Sequence, residues 1–228
     1  MITEKITDRV GWTRVPEIAR QRLITKGRTV EEEELIRLTK TVGDLLLTPE
    51  AFEASCFDSF TTLTLLSYLE KGHEMYRYKS LPEIELSIIQ LVNVLEDKHM
   101  LSSVLSIFIR DYSRHLCEHL KEEDEFIFPY IKELQKLEER GGVIRPATFL
   151  NGWSNLAAFM QSHSDTEKDL RILETVLAPF KQDGNAGMLV RRLINQIAIL
   201  EADLHIHALI EDEVIIPRAL QAEKNLLS

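Results

Sequence analysis

His119–Pro129 reads HLKEEDEFIFP and His207–Pro217 reads HALIEDEVIIP, and six of the eleven aligned positions are identical. Each copy sets a histidine, a glutamate four residues later, an Asp-Glu pair, then an apolar step and a proline. Residues four apart on a helix share a face, so each copy aims one imidazole and one carboxylate the same way. A carboxylate-bridged two-metal site in a helix bundle requires that pairing. One His-x3-Glu pair is common on a solvated helix face, where it adds about 0.2–0.5 kcal/mol. Two matching copies make a metal centre the leading reading.

Working outward, apolar residues recur at three and four positions from residue 52 onward. Phe60, Leu63, Leu65, Leu66 and Leu69 start a helix A that Leu81-Pro82 interrupts or kinks, and Ile84, Leu86, Ile89 and Val92 carry it toward 97. Helix B is expected over about 100–138 and ends at Gly141-Gly142. Helix C is expected over about 147–179, closed by Pro179 and QDGNAG, and helix D over about 186–222. Long helices with short links imply an all-α, up-down-up-down four-helix bundle over residues 51–228. Residues 1–50 read as a short helical appendage, with an unstructured tail as the alternative. Thr29 and the run Glu31 to Glu34 suit a helix N-terminus and predict a helix over 30–46.

One histidine can be chosen from each helix: His73, His119, His163 and His207, separated by 46, 44 and 44 residues. Equal separations through successive hairpins return an antiparallel chain to one height. Glu123 and Glu211 then lie about one turn, roughly 6 Å, from their histidines. Burying such a set without a cation is costly. Imidazole and carboxylate ligands fit iron, manganese or zinc, and the absence of thiolates from the set disfavours cysteine-ligated zinc and iron–sulfur sites.

Composition narrows the rest. Hydrophobic residues make up 44% of the 228, with only 9 Gly and 7 Pro, a mixture that favours helices around a sizeable core. A net charge of −10 argues against nucleic acid and anionic membrane surfaces as partners. No stretch of 18 uninterrupted apolar residues exists, so no membrane span is expected. Cys56 and Cys117 form no disulfide framework, which makes a reduced, cytoplasmic setting the expectation.

The stretches HLKEEDEFIFPYI and DLHIHALIEDEVIIPRAL resemble hemerythrin-like (HHE cation-binding) domains. They are most similar to the di-iron proteins of iron–sulfur cluster repair, also called regulators of cell morphogenesis and nitric-oxide signalling. The resemblance spans about 55–222. It implies two non-haem irons, with His73, His119, His163 and His207 as terminal ligands, Glu123 and Glu211 as bridges, and an oxo or hydroxo group completing the bridge. It further implies a stress-response role in handling iron or nitric oxide and assisting damaged iron–sulfur proteins. The alternative is a hemerythrin-like module that binds O2 reversibly or senses O2 or NO. Repair-type relatives often begin with a Cys-Cys-Gly-Gly motif, which residues 1–50 lack, and often have Glu-His-Asp where this chain has Ser162-His163-Ser164. Oxygen carriers typically use five histidines. Here His115, four before His119, is the candidate fifth, with His99 near the A–B link a further one. Asp124, Glu125, Asp212 and Glu213 are candidates to tune the imidazoles or guide iron, or simply to solvate the helix face.

Overall fold

Three prolines explain how the long helices are built. In the computed structural model, which describes residues 30–95, 99–150, 152–160, 170–181 and 184–227, every regular element is helical. The elements are α1 (Val30–Leu47), α2 (Thr62–Met75), α3 (Leu81–Val94), α4 (His99–Glu122), α5 (Phe128–Arg140), α6 (Pro146–Phe149), α7 (Leu156–Met160), α8 (Leu170–Leu177), α9 (Gly184–Ile210) and α10 (Ile216–Leu227). Short 3-10 turns occupy Pro49–Ala51, Ala54–Phe57 and Ala178–Phe180.

Helices α2 and α3, α4 and α5, and α9 and α10 join through π-turns: π1 (Tyr76–Ser80), π2 (Glu123–Ile127) and π3 (Glu211–Ile215). Each π-turn is followed by an apolar residue and a proline: Leu81-Pro82, Phe128-Pro129 and Ile216-Pro217. A proline inside an α-helix lacks an N–H and its ring meets the carbonyl four residues back. Widening one turn relieves that clash. The backbone confirms it, because the N–H groups of Leu81, Phe128 and Ile216 reach back five residues to Tyr76, Glu123 and Glu211. Helix A is therefore bulged at Leu81-Pro82, not broken.

Local signals set the ends. The Thr61 hydroxyl caps α2 by accepting from the Thr64 N–H at 3.1 Å. Gly141, at φ 71°, stops α5, and its N–H bonds to the Leu137 carbonyl at 2.8 Å. Helix C differs from the expected single span over 147–179. Gly152, at φ 89°, separates α6 from α7, and Asn155 caps the restart by accepting from the Ala158 N–H at 2.8 Å. Residues 161–169 lie outside the described residues.

The core forms two clusters. One gathers α1, the start of α2, π2 and α5, α7, the end of α9, π3 and α10, with Leu38, Leu65, Leu69, Tyr130 and Ile210 fully covered. The other gathers π1 and α3, α4, α8 and the first two-thirds of α9, around Tyr76, Leu91, Leu105, Leu170 and Leu193. The expected helix over 30–46 is Val30–Leu47, and its Leu35, Leu38, Val42, Leu45 and Leu46 belong to the first cluster. Thr29 lies outside the described residues. Glu34 ties α1 to α2 by accepting from the Thr61 N–H and the Thr64 hydroxyl, both at 2.7 Å. Among the described residues one helical stretch, Ala186–Leu226, is long and apolar enough to cross a membrane by length and composition. Its most apolar 18-residue window is 61% buried inside the fold, and the stretch supplies core residues to both clusters.

A buried carboxylate fastens α7. Glu223, on α10, accepts from the Tyr130 hydroxyl and from the Leu156 N–H at 3.2 Å. Glu223→Leu orphans both donors, so the variant is expected to lose about 1–3 kcal/mol of stability in urea unfolding. An unchanged midpoint would show that the clamp contributes nothing.

Candidate metal centre

A polar layer separates the two apolar clusters. His73 sits in the last turn of α2, His119 in the last turn of α4 and His207 in the last turn of α9. Glu123 and Glu211 open π2 and π3. The sequence thus brings each His-x3-Glu pair to the point where a proline widens the helix. His73 is 0% exposed, Glu123 2% and His207 4%.

Within this layer the nitrogens and oxygens converge. His73 Nε2 and His207 Nε2 are 3.0 Å apart. Glu123 Oε2 lies 3.3 Å from His73 Nε2, and its other oxygen lies 3.3 Å from His119 Nε2. Glu211 Oε1 lies 3.1 Å from His207 Nε2. The four groups His73, Glu123, His207 and Glu211 each offer a ligand atom within 4.8 Å of the others. The rings are held by neighbours: His73 stacks on Phe128 with centroids 5.2 Å apart, and Tyr76 meets His207 edge-on at 5.5 Å.

The electrostatics ask for a cation. Burial, then the charges of Glu211, Asp124 and Asp212, push the Glu123 carboxyl well above its ordinary 4.5. Burial, then Asp212 and Asp124, do the same to Glu211, while a hydrogen bond with Glu123 pulls the other way. Burial lowers His73 from 6.5 to about 4, against the opposing hydrogen bond to Asp124. Glu211 Oε1 is buried, with His207 Nε2 3.1 Å away. Two raised carboxyls beside the buried imidazoles of His73 and His207 are the donor set of a divalent metal, whose charge would answer both carboxylates. This buried group can hold a metal ion.

Of the six residues expected to bind metal, His73, Glu123, His207 and Glu211 are brought together. His119 stands on the far side of the Glu123 carboxylate, 17% exposed. His163 lies outside the described residues. His115 is exposed beside Arg114, with 3.2 Å between their nitrogens, and does not join the group. Glu125, Asp212 and Glu213 are exposed, in keeping with a solvating role. Asp124 does more: its Oδ1 accepts from His73 Nδ1 at 2.8 Å and its Oδ2 accepts from Arg77 at 2.6 Å. Burial would raise this carboxyl, but His73 and Arg77 hold it below its ordinary value.

Tyr76 and Arg77 were missed by reading the sequence. The Tyr76 hydroxyl lies 3.4 Å from His207 Nδ1. The signal was the register to proline: Tyr76 stands six residues before Pro82, as Glu123 does before Pro129 and Glu211 before Pro217. A small, mostly apolar cavity opens beside the two glutamates, walled by Ile127, Phe128, Met160, Ile215 and Ile216. Comparison with known proteins returns no matching family model, no matching curated protein and no matching solved structure.

The pKa shifts fix the sign of a pH dependence. Two carboxyls raised by folding retain protons that the unfolded chain releases, so metal-free stability falls as pH rises past their ordinary values. His73, lowered to about 4 from 6.5, works oppositely, and its contribution is complete above pH 6.5. Above the ordinary carboxyl range the two glutamates lower metal-free stability as pH rises toward their folded values, while His73 raises it between about pH 4 and 6.5. Glu123→Gln with Glu211→Gln removes only the first effect, so the variant's melting temperature should gain on the wild type as pH rises from 4.5. Thermal unfolding in chelator compares the two, and a difference that does not change with pH contradicts the assignment.

Proposed function

We propose that this chain is a non-haem di-iron protein of hemerythrin-like type. In this reading it is an up-down-up-down four-helix bundle that handles iron or nitric oxide under stress and assists repair of damaged iron–sulfur clusters. One observation carries the reading. The Glu123 carboxylate stands between two imidazoles from different helices, one oxygen toward His73 and the other toward His119, each at 3.3 Å. That is the placement of a carboxylate shared by two ions.

On this reading His73 and His207 would hold one ion and His119 would serve the other, with Glu211 as the second bridge. The resemblance adds His163, which lies outside the described residues. On either side of those residues α7 packs on α10 and α8 packs on α9. A nitrogen and oxygen donor set suits iron, manganese or zinc. Iron is the choice that the resemblance implies, and it supplies one-electron chemistry and an open position for O2 or NO. The apolar cavity against Glu123 and Glu211 suits a small neutral molecule. The exposed His115 weighs against the five-histidine set of an oxygen carrier, and so favours the repair reading over reversible O2 binding.

Reconstitution with ferrous iron is expected to give two irons per chain by elemental analysis. Glu123→Ala with Glu211→Ala should drop that below one. The reduced protein should restore a nitric-oxide-damaged cluster enzyme above an iron-plus-thiol control. No recovery would remove the repair role. Fewer than one iron in the wild type would remove the di-iron site. A spectrum that changes reversibly in air would favour the O2-binding alternative.

A further inference from the structure

The three π-turns share one register but not one chemistry. Those opened by Glu123 and Glu211 present carboxylates, whereas π1 opens on a phenol, Tyr76, followed by Arg77. Both residues reach the centre from behind the two histidines. The Tyr76 hydroxyl lies 3.4 Å from His207 Nδ1, and Arg77 grips Asp124, which in turn meets His73 Nδ1 at 2.8 Å.

The chemistry of these groups assigns the hydrogens. Asp124, paired with Arg77, is a carboxylate and only accepts. His73 Nδ1 must therefore carry hydrogen and donate to it. A buried neutral imidazole has one N–H, so His73 Nε2 presents a bare lone pair. We assign the hydrogen of the 3.0 Å contact to His207 Nε2, which also faces Glu211 Oε1 at 3.1 Å. This leaves His207 Nδ1 bare, and the Tyr76 hydroxyl donates to it. The metal-free centre is thus a chain polarised one way, from Tyr76 through His207 and His73 to Asp124, with Arg77 as its anchor.

A cation at Nε2 of both rings is compatible with half of this chain only. His73 already offers its lone pair. His207 must move its single hydrogen from Nε2 to Nδ1. We propose, resting on the metal-centre reading above, that π1 is the positioning device of the site. Asp124 and Arg77 preset His73 for the cation, and Tyr76 lets His207 reverse its tautomer by turning from donor to acceptor. The ring keeps one hydrogen throughout, so no proton is gained or lost there. A carboxylate at position 76 would only accept, and phenylalanine would do neither. A hydroxyl serves both states.

The test uses the full chain labelled with 15N-histidine and observed by long-range 1H–15N NMR, with zinc as a diamagnetic probe. Metal-free wild type is expected to show His73 protonated at Nδ1 and His207 at Nε2; with zinc, both should be protonated at Nδ1. Asp124→Ala should scramble the His73 tautomer and weaken zinc about 10–100-fold. Asp124→Asn, whose amide oxygen still accepts, should lose less. Tyr76→Phe should keep the His73 tautomer and the helical circular dichroism but weaken zinc about tenfold. Metal-free His73 protonated at Nε2, an unchanged His207 tautomer on zinc binding, or full zinc affinity in both Tyr76→Phe and Asp124→Ala would overturn the proposal. A wild type that takes up no zinc would retire the metal reading, and the metal-free tautomers would still decide the polarity of the chain.

Discussion

Everything in this fold is arranged around two glutamates and two histidines held away from water at a single point. Buried carboxylates repel each other and lose their hydration, a cost that apolar packing cannot offset locally. Metal-free, burial and mutual repulsion raise the Glu123 and Glu211 carboxyls well above their ordinary value. A cation would offset that cost, since it answers both carboxylates and takes a lone pair from each imidazole. The apolar clusters above and below the layer keep water out and so keep that demand high.

Prolines 82, 129 and 217 connect this electrostatic demand to the backbone. Each forces a widened turn that begins six residues earlier, and two of those turns begin at Glu123 and Glu211. π-bulges are frequent at functional sites because they re-aim a side chain without ending the helix. Past the site α5 and α10 continue into the first core cluster and α3 into the second, which fixes the height of the layer. Asp124, immediately after Glu123 in π2, turns back onto His73 and couples one helix's bulge to another helix's ligand.

Much of this was legible in the sequence. The duplicated His-x3-Glu-Asp-Glu stretch gave the pairs, and the 3.6-residue periodicity gave the helices that carry them. The lone histidine of helix A was legible from spacing alone. The proline was read as a kink or an interruption, because a sequence shows a missing N–H but not the widened turn that absorbs it. Tyr76 and Arg77 stayed hidden, since neither belongs to the duplicated motif and a tyrosine with helical spacing reads as core. Tyr76 is indeed fully buried. Helix C was misread as continuous because its apolar spacing runs through Asn151-Gly152, where φ is positive at the glycine. His115 shares a helix face with His119 by spacing, yet its side chain lies in solvent, a distinction of four residues that only the packing of α4 settles.

Anomalous diffraction from crystals of the iron-loaded protein tests the central claim most directly. The account predicts two iron peaks about 3.5–4 Å apart, with Glu123 and Glu211 between them, His73 and His207 on one ion and His119 on the other. A map with no peak in the layer, or one peak held without either glutamate, would contradict it.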